Sequence, residues 1–194
     1  MIALHNTIYT DLKPLLNSRR KIRIERRRPA NPHLNGYLVG LSPELGMMHC
    51  FDDFEADGYT IFFLDDIESI RSSEYERHWD HMLAAEGLLG GLDCVPRINL
   101  ASMDTALVSA AKQPGIVIIQ CEELENSIED FFIGQIASIG TETVWFDNFS
   151  ALGMWDETSE KIALNEITLV QLDTVYAQTF SKYVTGTPAS KRTR

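Results

Sequence analysis

Three cysteines among 194 residues, Cys50, Cys94 and Cys121, are too few and too scattered for a disulfide framework. Their spacing matches no zinc or redox motif. No run of about 18 uninterrupted apolar residues occurs, which excludes a membrane-spanning helix. Met1 to Pro14 lacks the basic start and apolar core of a signal peptide. These absences make a reducing cytoplasm the expected home. Basic charge is scarce too: 17 Lys and Arg stand against 28 Asp and Glu, for a net charge of -11. A field of that sign opposes broad binding to nucleic acid. There is no phosphate-binding glycine loop and no Gly-x-Ser-x-Gly elbow. Gly87-Leu88-Leu89-Gly90-Gly91 lacks the Lys and Ser/Thr of a P-loop and reads as linker.

What basic charge there is, is concentrated. Arg19, Arg20, Lys21, Arg23, Arg26, Arg27 and Arg28 fall in one window, and Lys191, Arg192 and Arg194 close the chain. The window is either a local nucleic-acid stripe or a charged strand edge that balances nearby carboxylates and discourages aggregation.

A pattern also occurs twice. Gly36, Leu38 and Leu41 align with Gly134, Ile136 and Ile139. After a two-residue shift, Leu64, Asp66, Ile67 and Ile70 align with Leu164, Glu166, Ile167 and Val170. Each copy opens with a predicted helix, over Thr7–Leu16 and Ser102–Lys112. Five short strands follow. In the first copy they are Lys21–Glu25, Gly36–Leu41, Gly46–Phe51, Tyr59–Leu64 and Ile67–Arg71, with a turn at Asp57-Gly58. In the second they are Ile116–Cys121, Phe132–Ile139, Thr143–Phe149, Lys161–Leu164 and Ile167–Leu172. An amphipathic helix closes each copy, with Tyr75, Trp79, Met82 and Leu83, or Tyr176, Phe180 and Tyr183, on one face. The division expected is a first unit over 1–86, a linker over 87–98, a second unit over 99–185 and a basic disordered tail over 186–194.

Five strands in so short a span cannot make a sandwich, but they can curl into a small bent barrel. The fold class is therefore mainly β with flanking helices (α+β), as two tandem five-stranded barrels. A helix, then bent strands with a glycine in the second, resembles the Sm-like fold, a form of the SH3-like barrel. Gly36, Leu38, Leu41 and Leu45 carry the likeness in one copy, and Gly134, Ile136, Ile139 and Thr143 in the other. The Leu64-Asp65-Asp66-Ile67-x-x-Ile70 ending is also similar to that of small uncharacterised bacterial proteins. The Sm-like resemblance implies RNA-binding rings, in which an Asp and an Asn four residues later hold a base. Ser42 and Gly46, or Gly140 and Val144, stand there instead. Asp65-Asp66 and Asn165-Glu166 replace the family's later Arg-Gly, and carboxylates repel phosphate.

One constellation suits a metal. Glu74, His78 and His81 share a helical face at i, i+4 and i+7, and carboxylate with imidazole suits zinc. The competing reading is a solvated face, because Trp79 and Met82 must point inward. Asp52, Asp53, Glu55 and Asp57 form one acidic loop, and Glu122, Glu123, Glu125, Glu129 and Asp130 another. Both read as solvated loops able to present a negative surface. Phe131, Phe132, Trp145, Phe146, Phe149 and Trp155 read as barrel filling rather than base-stacking platforms.

The leading expectation is a non-enzymatic protein-interaction or scaffold module with no cofactor. It would associate with a protein partner, or with itself, by edge-strand pairing. The alternative is RNA or single-stranded DNA binding through the basic first strand. A metal-dependent enzyme at Glu74, His78 and His81 comes third.

Overall fold

The computed structural model describes residues 2–127 and 129–192. The first half runs α1 (Ile2–Leu12), β1 (Lys21–Arg26), β2 (His33–Leu41), β3 (Leu45–Asp52), β4 (Glu55–Phe63), β5 (Ile67–Arg71) and α2 (Glu74–Ala85). The second runs α3 (Met103–Ala110), β6 (Val117–Glu122), β7 (Glu129–Ile139), β8 (Thr143–Asn148), β9 (Glu160–Ala163), β10 (Leu169–Leu172) and α4 (Val175–Ser181). The chain is mainly β with flanking helices. Its strands hydrogen-bond into one antiparallel sheet in the order β5-β1-β2-β3-β4-β10-β6-β7-β8-β9. Each half supplies five neighbouring strands, and the order within the halves is the same: last, first, second, third, fourth.

The duplication extends to individual irregularities. The β2·β3 ladder slips between Leu38 and Gly40, and the β7·β8 ladder slips between Ile136 and Ser138. Such bulges bend a strand. Gly36 and Gly134 occupy the same place before the slip, each facing the backbone of the next strand. A Cβ there would stand 2.0 Å from the His49 carbonyl oxygen in one half and 1.9 Å from that of Asp147 in the other. Only glycine allows that approach. The turn between the second and third strands repeats as well. Ser42 N–H donates to the Leu45 carbonyl and Gly140 N–H to that of Thr143, both at 2.8 Å.

The halves meet where β4 pairs with β10, with Leu169 opposite Phe62, Val170 opposite Ile61, Gln171 opposite Thr60 and Leu172 opposite Tyr59. Side chains alternate across a strand, so β3 and β4 serve two cores. Met48 and Phe62 pack with Leu12, Ile22, Ile24 and Leu38 in the first. Met47 and Ile61, on the other face, join Val117, Ile119, Phe146 and Ile162 under α3 in the second. Each of these side chains stabilises the fold by about 1.5–3 kcal/mol when fully buried, so the seam is a hydrophobic core and not a hinge.

Several local expectations shift, each for a physical reason. α1 ends at Leu12 and gives way to a 3-10 turn, Lys13–Leu15, because Pro14 removes a donor and cannot continue the helix. The hairpin turn lies at Asp53-Phe54, with Asp53 at a φ of 48°, and not at Asp57-Gly58. Gly58 instead sits inside β4 at a φ of 65°, where the β3·β4 register shifts. This is the left-handed glycine of a bulge. On α2, Ser73 caps the helix and Glu76 completes the capping box, which turns Glu76 and Leu83 inward. Tyr75 is therefore 68% exposed rather than in the core. Tyr183 lies beyond the end of α4 and is also exposed. Phe146 and Phe149 fill the interior as expected, but Trp145 and Phe131 point outward.

The segments after the closing helices dock as well. Leu88–Asp93 is a 3-10 helix whose leucines cover Tyr37 and Phe51. Residues 187–192 of the expected tail lie along the second half, held by a 3-10 turn at Ala189–Lys191 and the hydrogen bonds described below. Thr193 and Arg194 lie outside the described residues.

Candidate interaction interface

The basic window of β1 is largely engaged within the molecule. Arg26 alternates with Ile22 and Ile24, so it shares their inward face. Its guanidinium forms two hydrogen bonds to Glu122 of β6, at 2.7 and 3.0 Å, and both side chains are fully shielded from solvent. Asp66 Oδ2 stands 3.5 Å from Arg26 Nη2, a charge contact rather than a hydrogen bond. Thr168 and Asn31 donate to the Glu122 carboxylate at 2.6 and 3.1 Å. Burial alone would raise the Glu122 pKa, but the Arg26 bonds and charge, with Thr168 and Asn31, outweigh it and hold the carboxyl below its usual range. Arg28 spans the same junction, donating to Asp66 at 3.0 Å and to the Glu122 carbonyl at 2.8 Å.

The remaining members are dispersed. Arg23 pairs with Glu25 at 2.7 Å, and Arg19 pairs with Asp93. Lys21 is buried, with its ammonium 5.0 Å from the Trp79 ring centroid, and burial lowers its pKa. Arg20 and Arg27 alone keep exposed side chains with no ion pair among the described residues. The stripe is thus mostly a set of internal pairs rather than a continuous basic track.

Glu74, His78 and His81 all lie exposed on α2. Among the described residues no group of three His, Cys, Asp or Glu side chains could hold a metal. In the first acidic loop, Asp57 caps α4 by accepting from Val175 N–H at 2.9 Å, and burial raises its pKa. Burial pushes the Cys50 thiol up to about 11 and Cys121 up to about 12, so neither supplies a thiolate near neutral pH.

The two docked segments occupy matching places. With Gly36 matched to Gly134, Tyr37, His49 and Phe51 of the first half correspond to Gln135, Asp147 and Phe149 of the second. In the first half, Gly91 lies against the His49 ring; a Cβ on it would be 2.3 Å from Nε2. His49 is buried between Tyr59 and Phe51, and its Nδ1–H donates to the Gly58 carbonyl at 2.8 Å. Its Nε2 has no hydrogen-bond partner among the described residues. In the second half, Ser190 takes the place of Gly91. Its N–H and hydroxyl donate to the buried Asp147 carboxylate, and Lys191 Nζ donates to Gln135 at 2.7 Å. Neither docking site was legible in the sequence, because 3-10 turns carry no periodic signature.

Among the described residues two strands are paired on one side only: β5 pairs with β1 alone, and β9 with β8 alone. These are the two ends of the sheet, and they correspond in position to the strands joined at the seam: β5 to β10, and β9 to β4. Beside β9 lies an open groove of about 680 Å³ lined by Glu142, Thr143, Lys161, Ala163, Asn165 and Glu166. No family model, curated protein or solved structure matches the chain.

Proposed function

We propose that the chain is a non-enzymatic interaction module of two tandem five-stranded barrels of the Sm-like/SH3-like kind. It works in the cytoplasm and binds protein partners by adding a strand at the ends of its sheet. The observation that carries this reading is the seam: β4 accepts β10 by strand pairing and gives one face of its apolar side chains to the other half's core. Strand addition is thus the way the molecule already joins its own parts, and β5 and β9 remain free for the same interaction. The engaged arginines of β1 support this reading over nucleic-acid binding, which needs a run of unpaired cations.

The test is in-cell cross-linking of the full chain, followed by purification and peptide mapping. Protein cross-links should concentrate around Ser69–Arg71 and Glu160–Ala163. Cross-links that avoid both edges, or reproducible turnover of a small substrate by the purified chain, would overturn the proposal.

A further inference from the structure

We infer that the second half carries a binding groove for a short basic segment of a partner protein, and that residues 187–192 are its resident, exchangeable occupant. The segment it takes has the pattern Pro-x-Ser-Lys-Arg. The groove lies over β6, β7 and β8 rather than at a free edge, so the inference goes beyond strand addition and stands separately from it.

The floor of the groove is a charge without a counterion. Asp147 is 1% exposed and forms no ion pair among the described residues. The Ser159 hydroxyl donates to its Oδ1 at 2.6 Å. The other donors come from Ser190. Its N–H lies 3.2 and 3.3 Å from the two carboxylate oxygens, and its hydroxyl donates to Oδ2. A buried carboxylate that has no countercharge depends on such donors, because burial without them is costly. Ser190 delivers them from an exposed position at the surface of the groove. Open space of about 330 Å³ continues beside them, lined by Gln113, Gln135, Ala137 and Asp147 together with Ser190 and Lys191.

The docked segment shows what the groove reads. Pro188 is buried. Ser190 answers Asp147. Lys191 Nζ donates to the Gln135 side chain at 2.7 Å. The Arg192 guanidinium reaches the Trp155 and Glu157 carbonyls at 3.3 and 3.5 Å. Among the described lining residues the one cation, Lys191, belongs to the occupant, and Asp147 is the one charge of the groove itself. In a chain of net charge -11 that arrangement favours a cationic ligand.

The first half shows why this occupant is exchangeable. There the matching place is closed by Leu88, Leu89 and Leu92, which pack around Tyr37 and Phe51, and by the Tyr59 hydroxyl donating to the Gly91 carbonyl at 2.8 Å. Several leucines leave water together, and that segment is a fixed part of the fold. Of residues 187–192 only Pro188 is buried. The rest is held by hydrogen bonds, which the same donors on another chain replace with little net change.

The experiment is fluorescence anisotropy of a labelled peptide with the sequence of residues 186–194, titrated with the full chain. A scrambled peptide of the same composition controls for attraction of any basic peptide to an acidic protein. The resident segment competes from the same chain at an effective concentration of the order of millimolar, so the native chain should bind weakly. Ser190→Glu sets like charges together, releases the resident segment and leaves the groove walls intact; it should bind the peptide at least about tenfold more tightly. In that background Asp147→Asn should weaken binding about tenfold, as should alanine in place of the peptide's serine. Gln135→Ala, a milder change at a half-buried residue, should weaken it severalfold. Circular dichroism and melting of each variant report folding separately. Failure of the Ser190→Glu chain to bind, equal binding of the scrambled peptide, or indifference to both groove variants overturns the inference and makes residues 187–192 a fixed part of the fold. The strand-addition reading is tested by the cross-links at Ser69–Arg71 and Glu160–Ala163, so either reading can fail alone.

Discussion

Arg26 of β1 and Glu122 of β6 form a two-pronged ion pair across 96 residues of sequence, with both side chains sealed from water. The pair binds the first half to the second at the end of the seam, and Asp66 and Arg28 extend it. Removing Arg26 leaves the Glu122 charge buried without its direct countercharge, and removing Glu122 leaves Arg26 only the 3.5 Å contact with Asp66; either costs about 3–5 kcal/mol. Arg26→Met and Glu122→Gln should each lose stability of that order in urea unfolding. The double replacement Arg26→Met with Glu122→Leu should recover much of it, because no lone charge remains. Arg27→Ala, on the exposed side, should change stability by less than about 0.5 kcal/mol.

The same pairing limits what the basic window offers a polyanion. With Arg20 and Arg27 unpaired, roughly two phosphate contacts are available. On single-stranded RNA the slope of log affinity against log salt should therefore be no steeper than about -1.4. Filter binding across a salt series measures it. A steeper slope that shrinks in Arg23→Ala or Arg28→Ala would restore the nucleic-acid reading.

His49 should make stability depend on pH near neutrality. Burial lowers its pKa, with the Gly58 carbonyl and the Asp173 charge opposing more weakly. The folded form thus binds its proton less readily than the unfolded chain, whose His titrates near 6.5. Its contribution is present above that value and is lost as pH falls through it, by at most about 1.4 kcal/mol per pH unit. Protonation would also put a donor on Nε2, which faces Gly91 and has no acceptor. Urea midpoints between neutral and mildly acidic pH should fall in the native chain and fall less in His49→Gln. A second loss should follow at lower pH. Burial alone would raise the Glu76 pKa, but Arg71 and Ser73 hold its carboxyl at about 2, so its stabilisation persists above the ordinary carboxylate range and fades toward that value.

Gly36→Ala and Gly134→Ala should fail alike. Each puts a methyl carbon about 2 Å from a carbonyl oxygen of the adjacent strand. The backbones must part at the bend, at a cost of about 3 kcal/mol or more. Melting temperature and soluble yield report it. A tolerant Gly134→Ala beside a damaging Gly36→Ala would show that the two bends are not equivalent.

Ser190 closes a buried carboxylate. Ser190→Ala removes the hydroxyl donor to Asp147 and should cost about 1–3 kcal/mol locally. Hydrogen exchange at the Ser190 amide should speed up, while amides of β1 and β2 stay protected. Ser190→Glu sets like charges together and should release the segment more completely.

The repeat was legible from Gly36, Gly134 and the apolar residues after them, because a close backbone approach admits one residue type. Strand positions followed from alternation. The seam was harder to read: Tyr59-Thr60-Ile61-Phe62-Phe63 is nearly apolar on both faces, whereas Glu160-Lys161-Ile162-Ala163 is not. That contrast says β4 is covered twice and β9 once, but it does not name a strand more than 100 residues away as the cover. The alternation of Arg26 with Ile22 and Ile24 marks it as inward-facing, whereas its charge alone groups it with the surface stripe. Tyr75 shares apolar spacing with Trp79, Met82 and Leu83, but the Ser73-x-x-Glu76 capping signal sets the helix phase and turns it outward. Glu74, His78 and His81 do share a face of α2, but it is a face turned to solvent.

The peptide link between the halves imposes a parity. Any assembly of this chain holds an even number of five-stranded units, and its rotational order is at most half that number. The junction between the two units of one chain is a hydrogen-bonded, apolar seam, with Ile61 against Val170. Salt that dissolves surface ion pairs therefore leaves the seam standing, and the two units part only when the chain unfolds.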